Sequence, residues 1–536
     1  MKARRSAARW QRTPTPAALV VGREGLRGWQ VEAVKRAERA GAIRIDAVLE
    51  VAARGAGAAD ATVSLLASVE KAIGRVSPLR HRPAAAASLR ARRRVQPEWP
   101  AVARAPLDGD RRWPIVINVS TCDSQSLTWL ATCGVVDFRL GDSPDLDDVL
   151  EGMRLGRTTI DLRASLVSAS GTSHLVSGVA GIRERTLIIA SLEVLLARAA
   201  ALFSRGIAAA CDSEAAVVGA AALPGRSAAL SWGRAARLIA GGVSDYVRVA
   251  RTRRRTGTPT WFLAFREQPE HFIANTLSCS PAGLTAIMPP AGRFYADPCV
   301  FARDGVDHVF FEDYAFGSGR GVISCITRLS PGRFSPPVVV LERPYHLSYP
   351  FVFEHGGSVF MVPETSGARR VELYRAVEFP RRWEQVAVLL DNVDASDVTL
   401  FEEGGRWWMF TTLGDGGSSK CDELYLYSAS SPLGPWQPHP GNPVKSDVRS
   451  ARPAGRLFRH QGRIIRPAQN CSRTYGGSVA LCEVLELSPH AYRERVIADL
   501  GPEWYPGNDR FHTVSSSERL EVLDGNLPGA AVGDVA

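Results

Sequence analysis

The sequence predicts a multidomain protein, in which an N-terminal α/β domain with a parallel sheet precedes an all-β five-bladed β-propeller. Three observations predict it. The chain has 536 residues, more than one hydrophobic core usually organises. Its first half alternates short apolar runs with helix-period segments. Its second half repeats one strand–turn–strand pattern roughly every fifty residues.

Residues 1–16 are expected to be a disordered N-terminus. The paired arginines of "MKARRSAARW" are followed by no apolar stretch, so no signal peptide is expected. The α/β domain is assigned to 17–250. "AALVVG" (17–22) and "IRIDAVLEVA" (43–52) read as strands on either side of the helix-period "GWQVEAVKRAERAG" (28–41), and "WPIVINVS" (113–120) reads as a buried strand. The Arg-, Ala- and Pro-rich stretch 75–112 reads as a loop or linker. "TLIIASLEVLLARAAALFSRGIAAA" (186–210) carries Glu193, Arg198 and Arg205, which fits a buried or amphipathic helix and excludes a membrane span.

The propeller is assigned to 258–530, with a tail at 531–536. Four segments align on their turns, beginning at Pro298, Pro350, Val398 and Gly455. A glycine stands seven places on in each, at Gly305, Gly357, Gly405 and Gly462. Fourteen places on stand Glu312, Glu364, Thr412 and Gln469. One or two further strand-like runs follow each hairpin, giving four strands per unit, which is propeller grammar. A shorter fifth unit lies at 511–525, and "TPTWFLAFRE" (258–267) is expected to supply its missing outer strand and close the ring.

The repeat predicts a site. Residues entering the first strand of each blade gather at one mouth of the central channel, and these are Asp297, Tyr349, Asp397 and Ala454, with Arg452 two residues upstream of Ala454. Glu312 and Glu364 share one position in adjacent blades. Four carboxylates should therefore converge, and a ring of acids is costly unless each is paired, hydrogen-bonded or used. Two carboxylates facing a pocket are what glycoside cleavage needs: one protonates the leaving oxygen, and the other activates water or attacks the sugar. Asp297, Glu364 and Asp397 are the expected catalytic set. Glu312, Tyr349, Arg452, Arg466, Gln469 and His512 are expected to bind substrate, the two arginines through an anionic group. Trp407, Trp408 and Trp436 are read as blade core.

Composition excludes other classes. Hydrophobic residues make up 45% and charged residues 22% of the chain, as in soluble globular proteins. The net charge of +10 comes mainly from Arg; basic runs such as 90–96 and 251–257 lie at apparent boundaries and are read as solvated linkers, and without aromatic interleaving they indicate no nucleic-acid partner. Nine cysteines without CxxC or metal-ligand spacing suit a reducing cytoplasm and no disulfide framework.

The strings "ADPCVFARDG", "PYHLSYPFVFEHGG", "VPETSGARRVELYRA", "DELYLYSASSPLGPWQPHPGNPV" and "ARPAGRLFR…RPAQNCSRTYG" resemble the N-terminal domain of plant glucosamine inositolphosphorylceramide transferases, a domain that also occurs in bacterial proteins. The resemblance covers roughly 260–530. No counterpart of the plant glycosyltransferase domain is present, so the transferase activity does not carry over. The propeller is similar in turn to five-bladed arabinanase, xylosidase and levansucrase glycosidases. That similarity implies Asp297 as base or nucleophile, Asp397 as an orienting acid, and Glu364 in preference to Glu312 as the acid. It also makes His512 a loose match to a histidine near a channel cation; no other cofactor is expected. The first half resembles a degraded sugar N-formyltransferase, a family with an Asn-x-His-x-Ser motif. Asn118 is present, but Ser120 stands in the histidine position, so this half is expected to be silent. Three functions stay open: action on glycosidic bonds at the propeller mouth, glycan binding without chemistry in cell-envelope glycan synthesis, and formyl transfer by the first half.

Overall fold

The computed structural model describes residues 13–22, 26–51, 58–76, 93–95, 111–182, 188–212, 230–256, 259–415 and 418–528. Of the predicted N-terminal disorder and linker, residues 1–12, 77–92 and 96–110 fall outside this set, as does the 531–536 tail. The chain divides into two compact units, 1–246 with 415–418, and 247–414 with 419–536.

The first unit holds a six-stranded sheet in the order Ile43–Val51, Thr15–Gly22, Trp113–Asn118, Ala131–Leu140, Thr159–Ser168, Gly171–Gly181. The first four strands are parallel, as expected, but the last two run antiparallel, so the sheet is mixed. For the last pair the reason is local: a two-residue turn before Gly171 folds the chain straight back, whereas Ala131–Leu140 and Thr159–Ser168 are antiparallel although helix Asp147–Leu155 lies between them. The first strand starts at Thr15, two residues inside the segment expected to be disordered. Helix Ile188–Ala210 buries most of its residues, and its Phe203 stacks on Phe138, with ring centroids 4.6 Å apart. The basic run 251–256 ends the helix Trp232–Thr256 and is helical, not irregular. Arginine is a good helix former, so charge alone does not break a helix.

The second unit is a five-bladed propeller. Blade one is built on Arg293–Arg303, Val306–Ala315 and Arg320–Ser330, with short outer strands. Blade two comprises Ser348–His355, Ser358–Glu364, Arg370–Glu378 and Arg382–Asp391. Blade three is built on Ala395–Glu403, Arg406–Leu413 and Glu423–Ala429. Blade four comprises Phe458–His460, Arg463–Asn470, Ser478–Leu487 and Tyr492–Leu500. Blade five joins the two ends of the unit: Val514–Ser516 and Glu521–Leu527 pair on into Thr260–Arg266 and Thr285–Ile287. That closure removes the free sheet edges an open ring would expose.

The repeat has a backbone cause at both ends of each hairpin. The turn pairs Asp304–Gly305, Gly356–Gly357, Gly404–Gly405 and Gln461–Gly462 all have positive φ. Two successive left-handed residues make the two-residue hairpin whose twist matches the strands, and glycine takes that conformation without strain. At the other end, Asp297, Tyr349 and Asp397 also have positive φ, at 53°, 43° and 53°. Each coincides with a register shift in the first strand of its blade. A bulge there re-aims a side chain into the channel mouth. Left-handed non-glycine residues cost about 1–3 kcal/mol each and persist where the surroundings hold them, commonly at functional sites.

Candidate functional site

The bulges at Asp297 and Asp397 point two carboxylates into the channel mouth. The second strands of blades one and two bring Glu312 and Glu364, opposite Ala296 and Ser348. All four acids are buried. Burial holds the Glu312 carboxyl well above the usual range, and Asp297, Glu364, Asp524 and Asp397 push it further the same way. The convergence expected from the repeat is therefore present, with Asp524 as a fifth member.

Asp524 was not read from the sequence. The fifth hairpin has a first strand of only three residues, Val514–Ser516, and a four-residue turn, 517–520, so its second-strand acid falls outside the fourteen-residue spacing. Its place just before Gly525 on the strand of "LEVLDG" was the available signal. Asp524 is a hub of backbone contacts: Oδ1 accepts from the N–H groups of His512 and Thr513, at 3.0 and 2.9 Å, and Oδ2 accepts from Asp297 N–H at 3.0 Å. His512 lies between two acids, with Nδ1 2.7 Å from Asp524 Oδ2 and Nε2 3.2 Å from Asp297 Oδ1. Burial pulls the imidazole down, and Asp524 and Asp297 more than reverse it, so His512 is held above its ordinary value. Its ring is flanked by Trp261 and Tyr475.

Asp297, His512 and Asp524 offer atoms within 4.8 Å of one another, which is close enough for a cation. The fit is poor. Asp524 already spends both oxygens on three N–H donors, and a protonated His512 supplies the charge a cation would bring. No step is derived through one.

Asp397 is clamped. Arg452 Nε and Nη2 reach its two oxygens at 2.5 and 3.0 Å, and Gln469 Nε2 donates to Oδ2 at 2.7 Å. Arg452 also lies 3.6 Å from Glu364 Oε2 and 5.1 Å over the Tyr475 ring. Burial pushes Glu364 up, but Arg452, Lys420 and Ser366 more than reverse it and keep the carboxylate ionised. Glu364 Oε2 is buried without a hydrogen bond. Burial raises Asp297 above the usual carboxylate range, with the His512 charge opposing it.

Several expected binding residues stand in other places. Arg452 and Gln469 are at the mouth, but their polar groups hold Asp397. Tyr349 sits inside the channel, where its hydroxyl bonds Thr399 Oγ1 at 2.8 Å and accepts from Gly455 N–H at 2.7 Å, tying blades two, three and four. Gly455 is required there, because a Cβ would meet Val514 O at 2.0 Å. Arg466 is a correction: it lies apart from the acids, fully buried, with Nη2 and Nε on the two oxygens of Glu494 at 2.6 and 2.8 Å. It is closed to a ligand, because position 466 lies in the middle of the second strand of blade four and not at its mouth end. Trp407, Trp408 and Trp436 are blade core, as expected.

Two groups at the mouth escaped sequence reasoning. Lys420 Nζ lies 3.7 Å from Glu364 Oε1 and 3.0 Å from Asp394 Oδ1. His346 Nε2 lies 3.3 Å from Glu312 Oε1. Both come from loops between strands, where the repeat gives no register. Beneath the acids the channel narrows to a small void beside Asp297, Pro298, Tyr349 and Thr513. A roomier cleft of about 820 Å³ opens at the opposite end, among the hairpin turns, away from these acids.

In the first unit, Asn118 and Asp137 are brought together by Ser124. Asn118 Nδ2 donates to Ser124 Oγ at 2.8 Å, and Ser124 Oγ donates to Asp137 Oδ1 at 2.6 Å. Ser120 Oγ donates to Asn118 Oδ1 at 2.7 Å, and Arg139 Nε to Asp137 Oδ2 at 2.8 Å.

Residues 270–504 match the family model described as glucosamine inositolphosphorylceramide transferase 1, N-terminal. This bears out the resemblance seen in the second half. Glucosamine inositolphosphorylceramide transferase 1 of Oryza sativa subsp. japonica is 36% identical over 264 residues, covering 45% of this chain and 35% of the relative. The protein of the same name from Arabidopsis thaliana is 34% identical over 248 residues, covering 44% of this chain and 32% of the relative. The chain thus spans about a third of the length of these relatives. Among solved structures, a GH43 protein from Bacillus licheniformis superimposes with TM-score 0.30 and 18% identity, covering 39% of this chain and 44% of that one. A family 117 glycoside hydrolase from the marine bacterium Zobellia galactanivorans does so with TM-score 0.33 and 11% identity, covering 47% of this chain and 89% of that one.

Proposed function

We propose that the propeller mouth binds a glycan or sugar conjugate and acts on a glycosidic bond, by hydrolysis or glycosyl transfer. One observation carries this reading. Five buried carboxylates converge there, and the basic groups set against them are Arg452, His512 and the part-exposed Lys420, so acids outnumber bases in the set. The likeness to transferases named for a glucosamine conjugate supports a sugar-bearing substrate. A cytoplasmic setting is part of the proposal.

The electrostatics favour a different division of roles from the one the sequence suggests. Glu312, held protonated by burial and its acid neighbours, is the better proton donor to the leaving oxygen. Glu364, held ionised, is better suited to stabilising positive charge on the sugar. Asp297 keeps the role of nucleophile or base, with His512 supporting its charge. Asp397, clamped by Arg452 and Gln469, holds the frame.

That clamp favours a second reading, in which the mouth binds a glycan without chemistry. For the first unit we propose no activity, because Asn118, Ser120, Ser124, Asp137 and Arg139 are spent on one another.

The test is turnover and binding on a panel of glycans and nucleotide sugars, comparing wild type with Asp297→Asn, Glu312→Gln and Glu364→Gln. Sugar release or transfer by wild type, lost in Asp297→Asn and Glu312→Gln while binding persists, supports the enzyme. Equal binding by all four with no turnover supports the binding module.

A further inference from the structure

We propose that His346 is a locked neutral hydrogen-bond donor that positions the Glu312 carboxyl, fixing its acid proton on Oε2 and stabilising the carboxylate left when that proton leaves. The acid role of Glu312 rests on the proposed function; the donor assignment stands on the Gly321–His346 hydrogen bond and on the approach of Nε2 to Glu312 Oε1.

The imidazole has one nitrogen committed to accepting. Gly321 N–H donates to His346 Nδ1 at 2.9 Å, so Nδ1 bears no proton and Nε2 does. Nε2 is the nitrogen 3.3 Å from Glu312 Oε1. Oε1 is thus the oxygen nearest this N–H, and a protonated Glu312 that accepts from it carries its hydrogen on Oε2.

The backbone is shaped for this contact. A Cβ on residue 321 would come within 2.5 Å of Leu347 O and 2.9 Å of both Glu312 Oε1 and His346 Cε1. Only a residue without a side chain lets the strand approach both groups, so glycine at 321 orients donor and acceptor together. The Tyr314 ring packs edge-on to the imidazole, with centroids 5.8 Å apart. Partial burial favours the neutral form of His346 and Lys420 supports it, while Glu364 and Asp297 oppose it. Asp297, Glu364, Asp524 and Asp397 act on Glu312.

In the step this serves, the Glu312 Oε2–H bond breaks and the proton passes to the leaving oxygen. That oxygen takes the electron pair of its bond to the sugar carbon. Glu312 is left as a carboxylate, and the His346 donor is strongest toward that state. His346 thus acts through Glu312 as a positioning residue. It is not a shuttle, because Nδ1 is blocked from picking up a solvent proton.

The test uses the full chain with ¹⁵N-labelled histidine, and His346→Gln assigns the signal. The expected spectrum shows the Nε2–H neutral tautomer at pH 7, persisting below about 6.5, the ordinary histidine value. An imidazolium at pH 6.5 or an Nδ1–H tautomer overturns the proposal. A ¹³C titration of Glu312 gives the second readout. Losing the donor in His346→Phe should raise its midpoint by about one unit, and His346→Gln, which keeps an N–H donor, should restore part of the shift. An unmoved midpoint in His346→Phe overturns the proposal. Neither readout needs turnover, so the glycosidic reading can fail while this one stands. If turnover is found, the basic limb of its pH profile should move up in His346→Phe.

Discussion

Two clusters in the propeller contain buried arginines that the sequence offered as anion sites, and they differ in charge balance. At the mouth, Arg452, His512 and Lys420 face Asp297, Glu312, Glu364, Asp397 and Asp524. On the flank of blade four, Arg466 and Lys445 face the single Glu494, whose Oε2 also accepts from the Tyr492 hydroxyl at 2.5 Å. The flank cluster holds its acid down to about 2, because Arg466 and Lys445 outweigh burial. The mouth cluster pushes Glu312 up, because burial and like charges act together. A buried ion pair becomes scaffold when its charges close on each other, and a site when acids outnumber their partners.

The largest effect that could break this contrast is loss of each arginine. Arg452→Met leaves Asp397 buried with Gln469 alone and should cost about 3–5 kcal/mol in urea unfolding at pH 7. Arg466→Met should cost less, about 1.5–3 kcal/mol, because Lys445 still holds Glu494 Oε1 at 2.6 Å. Equal losses would remove the distinction.

Neutralising the acids should give opposite signs. Glu494→Gln should lose about 2 kcal/mol at pH 7, since it discards charged hydrogen bonds. Glu312→Gln should be neutral or stabilising by about 1 kcal/mol, since it relieves like-charge repulsion. The same unfolding assay reads both.

The pH dependence follows with the sign worked out. Glu494 is lower in the folded state than its ordinary value of about 4.3, so its contribution is complete above that value and is lost as pH falls toward about 2. Glu312 is higher in the folded state, so the native chain binds the extra proton. Its contribution is present at low pH and is lost as pH rises from about 4.3 through the folded value. Glu312→Gln should flatten the alkaline side of the stability curve, and Glu494→Gln the acid side. A sloping alkaline side retained in Glu312→Gln would assign it to Asp297 or Asp397.

A last substitution sharpens the mouth itself. Gly321→Ala should cost about 1–3 kcal/mol through overpacking on Leu347 O, and it should displace the Glu312–His346 contact, visible as a shifted His346 signal.

Much of the propeller was legible because a hairpin with a two-residue turn writes itself into sequence as a glycine at fixed spacing. The four glycines from Gly305 to Gly462 gave the register, and register placed Asp297, Glu312, Glu364 and Asp397 together. The fifth blade was less legible because its short first strand and four-residue turn break that spacing, which hid Asp524. Lys420 and His346 were illegible for another reason: they reach the mouth from loops, whose length and path the repeat does not constrain. The antiparallel end of the first sheet was missed because alternation of strand and helix predicts parallel crossovers, whereas the helix Asp147–Leu155 leads into an antiparallel strand and a tight turn before Gly171 adds the next.

The sequence by itself determined the order of strands, the turns and the positions where acids enter the channel, because each depends on backbone geometry that recurs with the repeat. Only the tertiary structure decided which acids are free and which are held. That depends on partners hundreds of residues apart, such as Asp297 with His512 and Asp524. It depends equally on burial, which raises one carboxyl and lets an arginine lower its neighbour.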